Sequence, residues 1–211
     1  MRTHRSTVLL GALAAAGLVM TQQACSTAYA DTAEPVDFQS SSAPAPAGSA
    51  QPGVADDGDI FTGARKVVIK PNPSFEEILA VDPSGRLNAT DGSSEFSLFV
   101  LTPHNGKFLI KTAKAGAGGE RACMGLKKNG SRPLTVVATA CDASRAGQLF
   151  SITEQKEKDP QGKPTYAISS QSAFLQIFPN SGLIAEELGD APLATTFSFV
   201  DNGPSGGPIE D

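Results

Sequence analysis

Side chains able to catalyse a reaction are sparse in this chain of 211 residues. A hydrolase needs an assembled nucleophile and base, yet beyond the first 30 residues the chain has one histidine, His104, and no His-Glu-x-x-His motif. The carboxylate pairs Glu76–Glu77 and Glu186–Glu187 are chain neighbours, which point apart in a strand and are usually solvated. The acidic run Asp56–Asp59 lacks the alternating spacing and the closing Glu of a calcium loop. We therefore expect no enzymatic activity, no metal and no cofactor.

The first residues of the chain predict a secretion signal. Arg2 and Arg5 give it a positive start, the apolar stretch Val8–Met20 follows, and Ala28–Ala30 is a small-residue cleavage site. The apolar stretch is shorter than the roughly 18 residues that a membrane-spanning helix needs. We expect residues 1–30 to be removed and the protein to be secreted and extracellular, with no membrane partner. The alanine-rich signal is typical of bacteria.

Composition divides the remaining chain into three parts. Residues 31–64 form an acidic linker rich in Ala, Ser, Pro and Gly, and residues 202–211 form a similar tail, so neither can bury enough apolar surface to fold. Residues 65–201 are long enough for one compact domain. This domain carries 15 basic and 14 acidic residues, and the chain has no Trp. We therefore expect no binding to nucleic acid, which requires a basic face. We also expect the protein to be a monomer.

Two cysteines remain after the predicted signal, Cys123 and Cys141. In an exported protein such a pair predicts a disulfide. The cross-link would contribute on the order of 3 kcal/mol to stability. The alternative, a catalytic thiol, needs a nearby base, and His104 is the sole histidine downstream of the signal.

A Phe-Ser-apolar triplet occurs three times, as Phe96–Leu98, Phe150–Ile152 and Phe197–Phe199. Matching neighbours precede each triplet, which a chance tripeptide would not bring with it. Each copy opens on an apolar run, at 66–70, 107–111 and 165–169. Two further apolar runs follow, separated by turns rich in Pro, Asn, Ser and Gly. Each copy therefore contains four short strands, and we expect twelve strands in all.

Short strands rich in Val, Ile, Leu and Phe, with closely spaced turns, predict an all-β fold. The internal threefold repetition favours a β-trefoil of three four-stranded repeats. A β-propeller also repeats four strands per unit, but it needs at least about four blades.

The second copy carries Cys123–Leu126 on an early strand, Cys141–Asp142 at a later turn and Gln148–Phe150 on the last strand. This pattern resembles the ricin-type (ricin B) lectin repeat, most clearly over residues 107–153, where that family has Cys-Leu-Asp, Cys-Asp and Gln-x-Trp. Copies one and three lack the cysteines, and Phe replaces Trp in all three, so the resemblance is to a divergent member. It implies a β-trefoil and a secreted carbohydrate-binding module without catalysis.

The closing strand is the structural half of this motif. The resemblance implies that the aromatic residues Phe96, Phe150 and Phe197 pack in the core and that Gln148 hydrogen-bonds to nearby backbone.

The binding half departs from the family pattern. The family's sugar-binding Asp is replaced by Ala80, Gly125 and Gln176 in the three copies. The third copy is the best candidate, because Gln176, Phe178 and Asn180 offer an amide, a ring and a second amide within five residues. The same residues also fit a turn whose Phe packs locally. The first copy offers Asp82, Asn88 and Asp91, but Asp and Asn beside Gly or Pro are typical of turns as well.

A protein partner is the second hypothesis. A fold of this kind can act through its loops, for example as a protease inhibitor or a surface-interaction module. The glycine-rich insertion Ala113–Glu120 would suit that role.

Overall fold

The computed structural model describes residues 57–74 and 76–206. Within them the chain is all-β, as predicted, with two short 3-10 turns at Asp57–Thr62 and Ala146–Gln148 and no α-helix. The predicted signal, most of the predicted linker (31–56) and the end of the tail (207–211) lie outside the described residues. The strands are β1 (Arg65–Asn72), β2 (Ile78–Val81), β3 (Leu87–Thr90), β4 (Leu98–His104), β5 (Lys107–Ala115), β6 (Arg121–Asn129), β7 (Arg132–Ala140), β8 (Ser151–Lys158), β9 (Pro164–Ser170), β10 (Ala173–Phe178), β11 (Gly182–Glu186) and β12 (Thr196–Pro204).

The strands form because apolar residues alternate with polar ones. In β1 the buried positions Val67, Ile69 and Pro71 alternate with partly exposed ones such as Lys70, the period-2 pattern of a half-buried strand. The core that these inward residues build contains the three repeated aromatics: Phe96 is 5 % exposed, and Phe150 and Phe197 are 0 % exposed. Burial of apolar side chains such as these aromatics is the main favourable contribution to folding.

Ten strands are hydrogen-bonded in one antiparallel sheet, in the order β10-β11-β7-β6-β5-β4-β1-β12-β9-β8. Because β10 also pairs with β9, nine strands close into a ring and β8 is an additional strand beside β9. Strands β2 and β3 form a separate two-stranded sheet. The sheet is therefore not divided into three equivalent four-stranded repeats, and the β-trefoil prediction is corrected to an all-β barrel with nine strands in its ring.

The physical reason is that the hairpins of the three copies pair differently at their edges. Hairpin β6–β7 is bonded to β5 and β11, and hairpin β10–β11 is bonded to β9 and β7. Among the described residues, hairpin β2–β3 forms no ladder with the large sheet. Phe108 of β5 and Phe150, which directly precedes β8, form an isolated bridge in which they exchange two hydrogen bonds of 2.8 and 2.9 Å. A repeated strand pattern does not fix which edges satisfy one another's backbone groups.

The folded unit extends past both predicted boundaries. Ile60, from the predicted linker, is 2 % exposed, and the Phe61 ring lies 5.5 Å from the Tyr166 ring and 5.8 Å from the Phe199 ring. At the other end β12 continues to Pro204, whose register partner is Arg65. The described parts of the linker and the tail are therefore packed against the barrel.

An ion pair between Arg65 and Asp201 also joins the first strand of the barrel, β1, to the last strand, β12. The Arg65 guanidinium donates hydrogen bonds to both carboxylate oxygens of Asp201. This bond from Arg65 holds the pKa of the Asp201 carboxyl below its usual value, against the opposing effect of burial. Among the described residues no helix has the length and apolar character needed to cross a membrane.

Candidate functional site

The loop that follows hairpin β6–β7 is fixed by a cross-link. The predicted disulfide is present between Cys123, which is buried in β6, and Cys141, which directly follows β7. Asp142 then begins a turn in which its Oδ1 accepts hydrogen bonds from the Ser144 N–H (2.9 Å) and the Ser144 hydroxyl (2.6 Å). The hydroxyl bond lowers the pKa of Asp142. The first residues of the loop are therefore held by a disulfide and by local hydrogen bonds.

A buried glutamine holds this loop against the hairpin. Gln148 is 3 % exposed, and its Oε1 accepts the Asp142 N–H at 2.7 Å. Its Nε2 donates to Thr139 Oγ1 at 2.7 Å and to the Ala140 carbonyl at 2.8 Å. A Cβ at Gly125 would lie 3.2 Å from Gln148 Cγ, so the missing side chain at Gly125 makes room for the amide.

A second buried glutamine performs the same task after hairpin β10–β11. Gln176 is 0 % exposed, and its Oε1 accepts the N–H groups of Ala194 (3.0 Å) and Thr195 (3.1 Å). Its Nε2 donates to the Leu175 carbonyl at 2.8 Å. Because the side chain has no solvent exposure and its oxygen already accepts two hydrogen bonds, the Gln176 amide is not accessible to a ligand. The structure thus gives Gln176 an internal, structural role.

The structure does not bring the three predicted sugar contacts of the third copy together. Gln176 points into the protein, whereas Phe178 is the half-buried last residue of β10 and Asn180 is exposed in the turn that follows. The Ser181 N–H donates to the Phe178 carbonyl at 3.1 Å, which closes this turn. Carbohydrate contact at Phe178 and Asn180 stays a prediction. The amide of Gln176 is no longer part of that predicted site, because it is buried.

A buried glutamine occupies the space beside hairpin β6–β7 and beside hairpin β10–β11, but hairpin β2–β3 has no glutamine at either aligned position. In the alignment of the copies, Ala80 occupies the place of Gly125 and Gln176, and Ser94 occupies the place of Gln148. An open cleft of about 360 Å³ is found here, between the hairpin and the loop that leads into β4. Its polar lining consists of Asp82, Asn88, Thr90, Ser93, Ser94 and Glu95.

The polar groups of this cleft are held in place by bonds that use only part of their capacity. Oδ1 of Asp82 accepts the Ser84 N–H at 2.8 Å, the Ser84 hydroxyl at 2.6 Å and the Arg86 N–H at 3.0 Å. No bond from the described residues reaches Oδ2 of Asp82. Thr90 Oγ1 accepts the Gly92 N–H at 3.1 Å, so its hydroxyl proton remains to be donated. The cleft therefore presents a carboxylate acceptor and a hydroxyl donor in fixed positions.

The inner side of the cleft is held by the neighbouring hairpin. Asn88 Oδ1 accepts the Leu183 N–H at 3.2 Å, so the amide NH₂ is the part of Asn88 that can serve a ligand. Gly182 has a φ of +64°, and a Cβ there would lie 2.6 Å from Asn88 Oδ1. Glycine at 182 is therefore required both by the backbone and by the position of Asn88.

Opposite charges meet at the outer edge of the cleft. Lys114, on β5, forms an ion pair with Glu95, and its ammonium lies 5.9 Å from the centroid of the Phe96 ring. Phe96 is 5 % exposed, so the ring closes the cleft floor and is not a broad stacking face. This edge tethers the loop 91–95 to the barrel.

Asp82 and Asn88 are also candidates from the sequence, although the residues of the third copy are the stronger prediction. The available signal was the absence of a glutamine at both Ala80 and Ser94, which leaves space where the other copies are filled. Within the described residues, no group of three or more His, Cys, Asp or Glu side chains is arranged to hold a metal ion.

No family model matches the chain, and no curated protein matches it. Among solved structures it is similar to the crystal structure of the lysenin pore, with 18 % sequence identity and a TM-score of 0.46, over 68 % of this chain and 48 % of that one. The chain thus spans about half the length of that structure, and at this level of similarity no property is transferred.

Proposed function

We propose that this is an exported, non-catalytic carbohydrate-binding protein whose ligand occupies the cleft of hairpin β2–β3. The observation that carries the proposal is that this cleft is open and polar, whereas the corresponding space in the other two hairpins is filled by a buried amide. Its volume of about 360 Å³ lies at the lower end of the range of about 300 to 1,000 Å³ for small-molecule sites.

The chemistry of the lining favours a polyhydroxy ligand. A sugar presents neighbouring hydroxyls that each donate and accept hydrogen bonds. Asp82 Oδ2 accepts with a charged oxygen, and the Asn88 amide and the Thr90 hydroxyl can donate. Because other bonds already fix these three side chains, little conformational entropy is lost when the ligand binds.

A glycan screen with variants that fill the cleft tests the proposal. The secreted chain would be screened against soluble glycans and insoluble polysaccharides, beside Ala80→Gln and Ser94→Gln. Each substitution places an amide where Gln176 or Gln148 has one, so the fold has a precedent for it. We expect either variant to weaken binding by at least about tenfold, equivalent to 1.4 kcal/mol.

The matched control is Asn180→Ala, in the third-copy turn, which should bind as the unmodified chain does. Thermal unfolding of each variant separates lost binding from lost structure. If no sugar binds, or if Asn180→Ala loses binding while the filled variants retain it, the proposal fails.

A protein partner is the second candidate, and one observation favours it. The turn that joins β5 and β6 is ordered, with the Gly116 N–H bonded to the Glu120 carbonyl at 2.8 Å, and residues 117–120 are exposed. Four residues present a small surface compared with the roughly 800 Å² per partner of a standard interface. Absence of sugar binding in the screen would make this candidate the leading one.

A further inference from the structure

A second, smaller pocket lies on the outward face of strands β1 and β12. Its volume is about 200 Å³, and its lining includes Lys70, Asn72, Ser74, Gln161, Lys163 and Ser198. The turn 159–163, which joins β8 to β9, covers one side of it. None of these residues takes part in the cleft of hairpin β2–β3.

Strand register explains why these side chains converge. Lys70 of β1 is directly opposite Ser198 of β12, and Asn72 lies two residues beyond Lys70, so the three share one face of the sheet. This face points away from the core, yet Ser198 is only 4 % exposed. The turn 159–163 shields it from solvent.

The floor of the pocket is a chain of hydrogen bonds. Asn72 Nδ2 donates to Ser198 Oγ at 2.9 Å, and the Ser198 hydroxyl donates to Asp159 Oδ2 at 3.3 Å. The other oxygen, Oδ1, accepts the N–H groups of Gln161 (2.9 Å) and Lys163 (2.8 Å). The carboxylate of Asp159 is therefore used to hold the turn in place, and both of its oxygens are already bonded.

The groups that remain for a ligand are mainly donors. Lys70 and Lys163 carry ammonium groups, and within the described residues neither lysine forms an ion pair. The Gln161 amide and the Ser74 hydroxyl add further donors. With two ammonium groups against one carboxylate, the pocket has a net positive charge, which favours an anion over a cation.

We infer that this pocket binds an oxyanion, such as the sulfate, phosphate or carboxylate group of a small ligand. A compact group with several acceptor oxygens matches the converging donors, and ammonium-to-oxyanion bonds are among the stronger hydrogen bonds in proteins. The inference is independent of carbohydrate binding in the first cleft, because the two sites share no residue.

An NMR titration tests the inference on the ¹⁵N-labelled secreted chain. Sodium sulfate, sodium phosphate and sodium glucuronate would be added separately, with sodium chloride at matched ionic strength as the reference. We expect a saturable change in the amide signals of Gln161, Gly162 and Lys163 with at least one oxyanion, with a dissociation constant in the millimolar range or tighter. The three salts distinguish a sulfated, a phosphorylated and a carboxylated source.

Two pocket variants and one control complete the test. Lys70→Gln and Lys163→Gln should each weaken binding about tenfold, the effect of losing one charge-assisted bond. Lys128→Gln makes the same charge change on the exposed end of β6 and should leave binding unchanged. The inference is overturned if none of the three salts gives saturable changes at these amides. It is also overturned if Lys128→Gln weakens binding as much as the pocket variants do.

Discussion

Replacing Gln148 with Ala should destabilise the protein more than any surface substitution. The change removes three hydrogen bonds, at 2.7, 2.7 and 2.8 Å, from a side chain that is 3 % exposed. A typical hydrogen bond contributes a net of about 1 kcal/mol, which gives about 3 kcal/mol for the three. The lost burial of one methylene adds about 0.8 kcal/mol. The free energy of unfolding should therefore fall by about 4 kcal/mol, a large part of the 5 to 15 kcal/mol typical of a domain.

Urea unfolding followed by circular dichroism measures this difference. The control is Gln155→Ala on β8, since the Gln155 amide donates to the Thr153 carbonyl two residues away, at 2.9 Å in an exposed position. A surface change of this kind should alter the free energy of unfolding by no more than about 0.5 kcal/mol. If Gln148→Ala lowers the free energy of unfolding by less than about 1 kcal/mol, the hydrogen bonds of Gln148 do not stabilise the loop. The conclusion that this amide holds the loop against hairpin β6–β7 would then be wrong.

Three further predictions concern the barrel itself. Phe150→Ala, at a position that is 0 % exposed, should cost about 3 to 5 kcal/mol in urea unfolding, and an unchanged midpoint would contradict its place in the core. The pKa of Asp201 is lowered mainly by the bond from Arg65, so this pair stabilises the fold above the unfolded pKa of about 3.9 and stops doing so as the pH falls through the lower folded pKa. Arg65→Gln should accordingly lower the urea midpoint at pH 7, and its difference from the unmodified chain should shrink below about pH 4; a constant difference would argue against the pair. Reducing the disulfide between Cys123 and Cys141, which are 18 residues apart, should cost about 3 kcal/mol, and an equal midpoint in the reduced protein would show that the cross-link is energetically neutral.

The sequence predicts much of the fold at the level of single strands. In β1, Val67 and Pro71 lie on the buried face and Lys70 lies on the opposite face. This alternation of apolar and polar residues is a local signal that the sequence contains. The pairing of strand edges is not local, because it depends on which backbone groups meet in space. The repeated strand pattern therefore does not predict that hairpin β2–β3 forms a separate sheet while hairpins β6–β7 and β10–β11 join the ring.

The candidate site shows a similar limit. A glutamine such as Gln176 can hydrogen-bond either a ligand or the protein's own backbone, and its type alone does not distinguish the two. The structure distinguishes them, because the partners at Ala194 and Thr195 are backbone N–H groups of the following loop. The sequence shows that Ala80 stands where the third copy has the amide of Gln176. The structure adds that the space beside Ala80 stays open.

Ile60 and Phe61 show how composition can mislead over short stretches. The surrounding segment is rich in small and acidic residues, which predicts a flexible linker. Two adjacent apolar side chains are nevertheless enough to anchor the described part of it, since Ile60 is 2 % exposed and Phe61 contacts Phe108, Tyr166 and Phe199.

The most direct test of the proposed function is a crystal structure of the protein with an oligosaccharide identified in the screen. We predict density for a sugar ring in the cleft of hairpin β2–β3, with hydroxyls within hydrogen-bond distance of Asp82 Oδ2 and the Asn88 amide. Sugar density beside Phe178 and Asn180, with the cleft left empty, would contradict the proposed site.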